Sequence, residues 1–85
     1  SVVVMELTGK QLLAALERSV SFAGKPFAGF LQVSGLQVRY APARPAGQRV
    51  LSLQVGGKAV APDAKVRVAM PRPLADGQLG YFQIW

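Results

Sequence analysis

The sequence predicts an α+β domain in which one long helix packs on a mostly antiparallel sheet of about five short strands. Runs of β-branched and alternating apolar residues indicate the strands, and one apolar stripe of helical period over about residues 9–20 indicates the helix. The links between the later strands are too short for crossover helices, which favours antiparallel pairing. Because the chain has 85 residues, of which 51% are hydrophobic, it holds a single core, and residues 1–85 are interpreted as one domain.

The helix prediction depends on its N-terminal signals. Residues 2–7, VVVMEL, have the composition of a buried strand, and Thr8 follows them as a capping residue. Gln11 stands three positions after Thr8 and completes a capping box, while Leu7 and Leu12 occupy the positions of a hydrophobic staple. The predicted apolar stripe consists of Leu12, Leu13, Leu16 and Val20.

The remaining strands are marked by turn residues. Phe30–Tyr40 reads as one half-buried strand with a bulge at Ser34-Gly35, because a glycine inside a strand favours an irregularity of that kind. Gly56-Gly57 predicts a two-residue hairpin turn after the strand 50–55. Lys65–Met70 alternates as a further strand, and the segment that follows it is predicted to be a proline-rich loop ending in aromatic residues.

Composition excludes several kinds of chemistry within the chain. There is no His and no Cys, so imidazole acid–base catalysis, disulfides and thiolate metal sites are unavailable. The four acidic residues, Glu6, Glu17, Asp63 and Asp76, are scattered, and we expect no metal centre to form from them. The net charge of +6 comes from dispersed Lys and Arg residues, which favours a solvated basic surface over a nucleic-acid site.

Other motifs are weaker. Three Gly-Lys pairs lack the Ser or Thr and the upstream glycine of a phosphate-binding loop, and they are interpreted as a helix start, a loop and a hairpin turn. No apolar run approaches the roughly 20 residues of a membrane span. The first run, VVVMEL, is too short for a signal peptide and lacks a basic leader, so none is expected within these residues. The chain starts at Ser1 directly before a strand, so we expect a fragment whose cellular location the sequence leaves undetermined.

The run FLQVSGLQVRY at residues 30–40 resembles a signature of the C-terminal domain of 5′-nucleotidases. The segment VVVMELTGKQLLAALERSVS is similar to the strand and helix that precede that signature in the family. The segment RVLSLQVGGKAVAPDAKVRVAM is similar to the hairpin and strand that follow it. The resemblance therefore extends along nearly the whole chain.

The resemblance implies a division of labour between two domains. Family members are hydrolases in which an N-terminal metallophosphoesterase domain carries two divalent metal ions and the catalytic His, and the C-terminal domain binds the nucleotide. This chain would be a C-terminal domain truncated at its N-terminus and inactive alone, with the upstream catalytic domain and a nucleotide as its partners. Family members are periplasmic, extracellular or surface-anchored, and the same location is expected here.

The resemblance also implies site residues. Phe30 matches the aromatic that stacks on the nucleobase, with packing over the helix as the alternative. The family's second motif falls on residues 73–81, where Asp76, Gly77 and Tyr81 are the predicted substrate-binding residues. This motif departs from the family, because Pro73 stands where the second stacking Phe is expected and Leu79 where an Asp is expected.

Several alternatives stay open. Asp76 is also compatible with an ordinary loop surface. Either Tyr81 or Phe82 would supply a second ring, although the resemblance implies a structural role for the aromatic at this place. The domain is also compatible with a relative that takes another phosphoester, with a mainly structural role, or with a small basic nucleic-acid-binding module.

Overall fold

The structure is a computed structural model and describes residues 1–23 and 33–85. Strands and one long helix make up most of these residues. In chain order the elements are β1 (Val2–Thr8), α1 (Gly9–Ala23), β2 (Leu36–Tyr40), β3 (Val50–Val55), β4 (Lys58–Ala59), β5 (Lys65–Pro71), α2 (Arg72–Ala75) and 3-10 turns over Gln78–Gln83. The predicted α+β class is confirmed.

The junction of β1 and α1 is the predicted capping box. The Thr8 Oγ1 accepts a hydrogen bond from the Gln11 N–H at 3.1 Å, and the Gln11 Oε1 accepts one from the Thr8 N–H at 2.9 Å. Leu7 and Leu12 flank the box and both are buried in the main apolar cluster. Two backbone donors at the helix start are thereby satisfied by side chains.

The buried face of α1 differs from the predicted stripe at one position. Leu12, Leu16 and Val20 are buried as predicted, but Leu13 is 41% exposed. Ala15 and Ser19 are buried instead, because spacings of three and four residues from Leu12 follow one helix face whereas a spacing of one turns away from it. The helix also runs three residues beyond the predicted end, to Ala23.

A backbone turn holds the start of α1. The Gly9 N–H donates to the Ala64 carbonyl and the Lys10 N–H donates to the Pro62 carbonyl, each at 2.9 Å. A Cβ placed on Gly9 would lie 2.0 Å from the Ala61 carbonyl oxygen. The helix start therefore needs glycine for close packing, and its amide donors are already engaged by carbonyls.

The described strands form two sheets rather than the single sheet that the sequence predicts. β1 pairs with β5 along its whole length, and β2, β3 and β4 form an antiparallel meander. Helix α1 contacts both sheets, and the core lies between the helix and their inner faces. The predicted hairpin turn at Gly56-Gly57 is confirmed, with both glycines at positive φ.

The predicted strand Phe30–Tyr40 is corrected in its described part. Ser34-Gly35 forms a turn before β2 instead of a bulge within it, and Gly35 has a φ of 72°. The Gly35 carbonyl accepts a hydrogen bond from the Gly56 N–H at 3.2 Å, so the turn lies beside the β3–β4 hairpin. The pairing irregularity of β2 lies between Arg39 and Tyr40.

The segment after β5 is not the predicted loop, and the expectation of one helix is therefore corrected as well. Pro71 precedes the short helix α2, in which Pro73 occupies an early position where its missing N–H costs nothing. Irregular 3-10 turns follow over Gln78–Gln83 and are interrupted at Leu79 and Gly80. Proline marks a helix start here, and the predicted loop is wrong at residues 72–75.

Candidate functional site

The second motif of the family resemblance forms a tight turn at the end of β5. The Arg72 N–H donates to the Ser1 carbonyl at 3.0 Å, which ties the motif to the start of β1. The Asp76 N–H donates to the Arg72 carbonyl at 2.8 Å and the Gly77 N–H donates to the Leu74 carbonyl at 3.0 Å. We call residues 72–82 the C-terminal turn.

The predicted site residues have different positions relative to this turn. Phe30 lies outside the described residues, so its stacking role stays a prediction. Asp76 lies at the end of α2 and is exposed there. Gly77 and Tyr81 are both buried, while Phe82 is 65% exposed.

Gly77 is required by the shape of the turn. Its φ is 99°, a conformation that L side chains rarely adopt. A Cβ on Gly77 would also lie 2.6 Å from the Cβ of Phe82, whose N–H donates to the Gly77 carbonyl at 3.1 Å. The shared glycine therefore preserves the course of the backbone at this point.

Leu79 stands where the resemblance expects an Asp, and its backbone is strained. Its φ and ψ are 58° and 25°, and among the described residues no other non-glycine has a positive φ. The left-handed conformation costs a residue of this type about 1–2 kcal/mol. The side chain is 52% exposed, so it places an apolar group where the family motif has a carboxylate.

Tyr81 forms the inner wall of the turn. Its side chain is 0% exposed, and its ring stacks on that of Trp85 with the centroids 5.4 Å apart and the planes at 21°. The Trp85 Nε1–H donates to the Leu74 carbonyl at 3.2 Å, which closes the segment onto α2. In this conformation Tyr81 offers no ring face to a ligand, and any effect that it has on binding passes through the turn.

Burial raises the pKa of Tyr81, and the Ser19 hydroxyl and the Arg18 charge oppose that rise. The phenol oxygen is buried and forms no well-aligned hydrogen bond, so we regard desolvation as the dominant effect. A raised pKa in the folded state means that the stabilisation is present below the ordinary tyrosine pKa and is lost as the pH rises above it.

We therefore expect the free energy of unfolding to fall more steeply above about pH 10 in the unmodified chain than in a Tyr81→Phe variant. Urea unfolding of both proteins between about pH 8 and pH 11 measures the difference, and lysine titration is common to both. The Tyr40→Phe variant keeps Tyr81 and should keep the steep loss. Parallel pH profiles for the unmodified chain and Tyr81→Phe would contradict the expectation.

Arg18 is a part of this region that the sequence pattern did not reveal. Its Nε–H donates to the Leu79 carbonyl at 2.8 Å, from helix α1 to a residue 61 positions later. A Cβ on Gly80 would lie 2.4 Å from the Arg18 Nη2, so the guanidinium lies directly on Gly80. A solvent-facing arginine on a helix carries no sequence signal for such a contact.

The structure also limits other interpretations. The first backbone donors of α1 are bound to carbonyls and to Thr8, so the Gly9-Lys10 pair offers no phosphate cradle. Within residues 1–23 and 33–85 no group of three or more metal-binding side chains comes together. In the same residues no helix has the length and apolar character that crossing a membrane requires.

An apolar groove of about 590 Å³ lies between α1 and the β3–β4 hairpin. Leu13, Leu51 and Val60 line it, and Lys10 stands among the lining residues. It shares no residue with the C-terminal turn. Leu13, which the stripe prediction placed in the core, is 41% exposed and lines this groove.

Comparison with known proteins gives one consistent picture. A family model described as 5′-nucleotidase, C-terminal domain, matches residues 1–84. A 5′-nucleotidase from Diplobatis ommata is 37% identical over 76 residues, which cover 89% of this chain and 12% of that protein. The crystal structure of a 5′-nucleotidase precursor from Thermus thermophilus matches with a TM-score of 0.80 at 38% identity, covering 99% of this chain and 17% of that one.

A crystal structure of a 5′-nucleotidase-like protein from Staphylococcus aureus, solved in complex with alpha-ketoglutarate, also matches with a TM-score of 0.80. At 22% identity over 100% of this chain and 20% of that chain, this likeness concerns the fold alone. The chain spans only 12% and 17% of the lengths of the Diplobatis and Thermus relatives.

Proposed function

Because the chain belongs to the family of 5′-nucleotidase C-terminal domains, we propose that it binds the nucleoside part of a phosphoester substrate for a hydrolase. The observation that carries this proposal is the family match over residues 1–84. The C-terminal turn supports it, because glycines retained from the family motif keep a strained, defined loop at the surface. Function commonly resides on loops held by a rigid scaffold.

The hydrolysis itself is assigned to a domain upstream of this chain. The described residues hold no metal-binding group, whereas the proposed partner, a metallophosphoesterase domain, would supply two divalent ions. Such a pair acts as a Lewis acid and lowers the pKa of a bound water, which generates the nucleophile. The 85-residue chain would be a partial C-terminal domain that contributes substrate binding and no turnover. The Thermus relative is a precursor, which supports a location outside the cytoplasm.

Within the site, we propose that Phe30 stacks on the base and that Asp76 and the turn around Gly77 contact the nucleoside. Tyr81 then acts from behind the turn, and Phe82 is the exposed ring beside it. Pro73 and Leu79 remove a ring and a carboxylate relative to the family motif, so weaker binding than in the relatives is expected.

Titration calorimetry with adenosine, AMP and a UDP-sugar tests the proposal. Stacking contributes about 1–3 kcal/mol per base, so Phe30→Ala should weaken binding of all three ligands by about tenfold or more. The matched control is Tyr40→Ala, which removes another aromatic side chain. Equal affinity in Phe30→Ala and the unmodified chain would refute the stacking role.

The pattern of ligands separates the alternatives. Binding of AMP and adenosine supports a nucleotidase-type substrate, and binding restricted to another phosphoester identifies a relative with a different substrate. Affinity for oligonucleotides that falls steeply with salt would instead indicate the basic module, because bound counterions are released on association. No binding of any of these ligands would indicate a mainly structural domain.

A further inference from the structure

The C-terminal turn contains a contact that explains how a strained leucine is held. Leu79 adopts the left-handed conformation, and its carbonyl accepts a hydrogen bond from the Arg18 Nε–H at 2.8 Å. The donor comes from helix α1, whose buried face belongs to the core. The turn is therefore anchored to the longest helix of the described residues.

Gly80 completes this contact. Its lack of a side chain leaves room for the guanidinium, since a Cβ there would lie 2.4 Å from Nη2 and 2.8 Å from Cζ of Arg18. Gly80 also has a φ of 84°, so two successive residues, Leu79 and Gly80, are left-handed under the arginine. The side chains of this segment differ in exposure: Leu79 and Phe82 are exposed to solvent, and Tyr81 is buried in the core.

We propose that Arg18 is a positioning residue for the proposed nucleoside site. By holding the Leu79 carbonyl and covering Gly80, it keeps the turn in the one conformation that buries Tyr81 and presents Leu79 and Phe82 at the surface. This inference rests on the proposed function for its ligand, while the conformational part is independent of any ligand.

The first test measures the turn without a ligand, as the ionisation of Tyr81 followed by ultraviolet absorbance in a Tyr40→Phe background. Arg18→Met replaces the arginine with an unbranched apolar side chain and removes the Nε–H that donates to the Leu79 carbonyl. If the arginine holds the turn, Tyr81 becomes accessible and its pKa falls toward the ordinary tyrosine value, because burial is the main cause of the rise. If the arginine acts only as a nearby charge, its removal raises the pKa of Tyr81 further, and that result overturns the proposal.

A second substitution provides the rescue. Leu79→Gly removes the strain of the left-handed conformation, so the turn needs no external support. The Arg18→Met/Leu79→Gly protein should therefore show the raised pKa of Tyr81 that Arg18→Met alone has lost. Failure of this rescue contradicts the proposal. Arg67→Met, which removes an exposed arginine on β5, is the matched control and should leave the pKa of Tyr81 unchanged.

The ligand arm uses adenosine. Arg18→Met should weaken its binding by about tenfold, and the double variant should recover most of the affinity of Leu79→Gly. If the pKa of Tyr81 changes as expected but the unmodified chain does not bind adenosine, the proposed function is wrong and the role of Arg18 in holding the turn stands. Adenosine binding that is unaffected by Arg18→Met would remove the positioning role in binding and leave the proposed function standing.

Discussion

Gly9→Ala is expected to lower the free energy of unfolding by about 3 kcal/mol, although alanine is the better helix former. The added Cβ would lie 2.0 Å from the Ala61 carbonyl oxygen and 2.8 Å from the Cγ1 of Val60. The Ala61 oxygen cannot retreat freely, because it accepts a hydrogen bond from the Ala64 N–H at 3.1 Å. Relief of the clash must therefore move the turn that engages the start of α1.

Such a loss is large for a domain of this size, whose total stability is on the order of 5 kcal/mol. Urea unfolding monitored by circular dichroism measures it, and the midpoint should fall by about 3 M if the slope is about 1 kcal/mol/M. The matched control is Gly47→Ala, where φ is 88° but nothing lies within 4 Å of the added Cβ. Its expected cost is about 1 kcal/mol, from conformation alone. Equal costs at the two positions would show that the contact at Gly9 is not limiting.

Glu17→Ala is expected to cost about 3 kcal/mol, because its carboxylate is the link between α1 and β3. Oε1 accepts the Arg49 N–H at 2.9 Å, and Oε2 accepts the Val50 N–H at 3.0 Å. Hydrogen bonds to an ionised acceptor contribute more than neutral ones, and their loss leaves two partly buried donors unsatisfied. Arg49 also donates from Nη1 to the Val20 carbonyl at 3.1 Å. The same residue therefore contacts α1 a second time, near its C-terminal end.

Glu17→Gln separates the charge from the shape of the side chain. The amide can accept only one of the two N–H groups and turns its own donor toward the other, so a loss of about 1.5 kcal/mol is expected. Glu6 is an exposed acid on β1 and supplies the control, since Glu6→Ala should stay within about 0.5 kcal/mol of the unmodified chain. Urea midpoints of the four proteins decide the order. A Glu17→Ala protein as stable as Glu6→Ala would contradict the role of the carboxylate.

The features that the sequence predicted well are local ones. The capping box of Thr8 and Gln11 and the hairpin at Gly56-Gly57 each depend on residues within four positions of one another. Hydrogen bonding and the conformational freedom of glycine act over that distance, so the pattern carries the information. The errors in the fold arose where one signal had two meanings. The glycine at Gly35 marked a turn rather than a bulge, and Pro73 marked a helix start rather than a loop.

The candidate site divides in the same way. The motif around residues 73–81 and its departures at Pro73 and Leu79 were visible in the sequence, as was the presence of an aromatic at position 81. The sequence does not show whether that aromatic faces a ligand or the core, because the direction of its side chain depends on the two left-handed residues before it. Phe30 lies outside the described residues, and its role awaits the binding experiment.

Sequence patterns alone were enough to predict the fold class, the helix start and the hairpin. They also carried the resemblance to 5′-nucleotidase C-terminal domains, which the comparisons confirm. Three features required the folded structure: the division of the described strands into two sheets, the burial of Tyr81 and the contact of Arg18 with Gly80. The difference lies in how far apart in the sequence the interacting residues are. Periodicity and turn chemistry act between near neighbours, whereas these contacts join residues that only the folded core brings together.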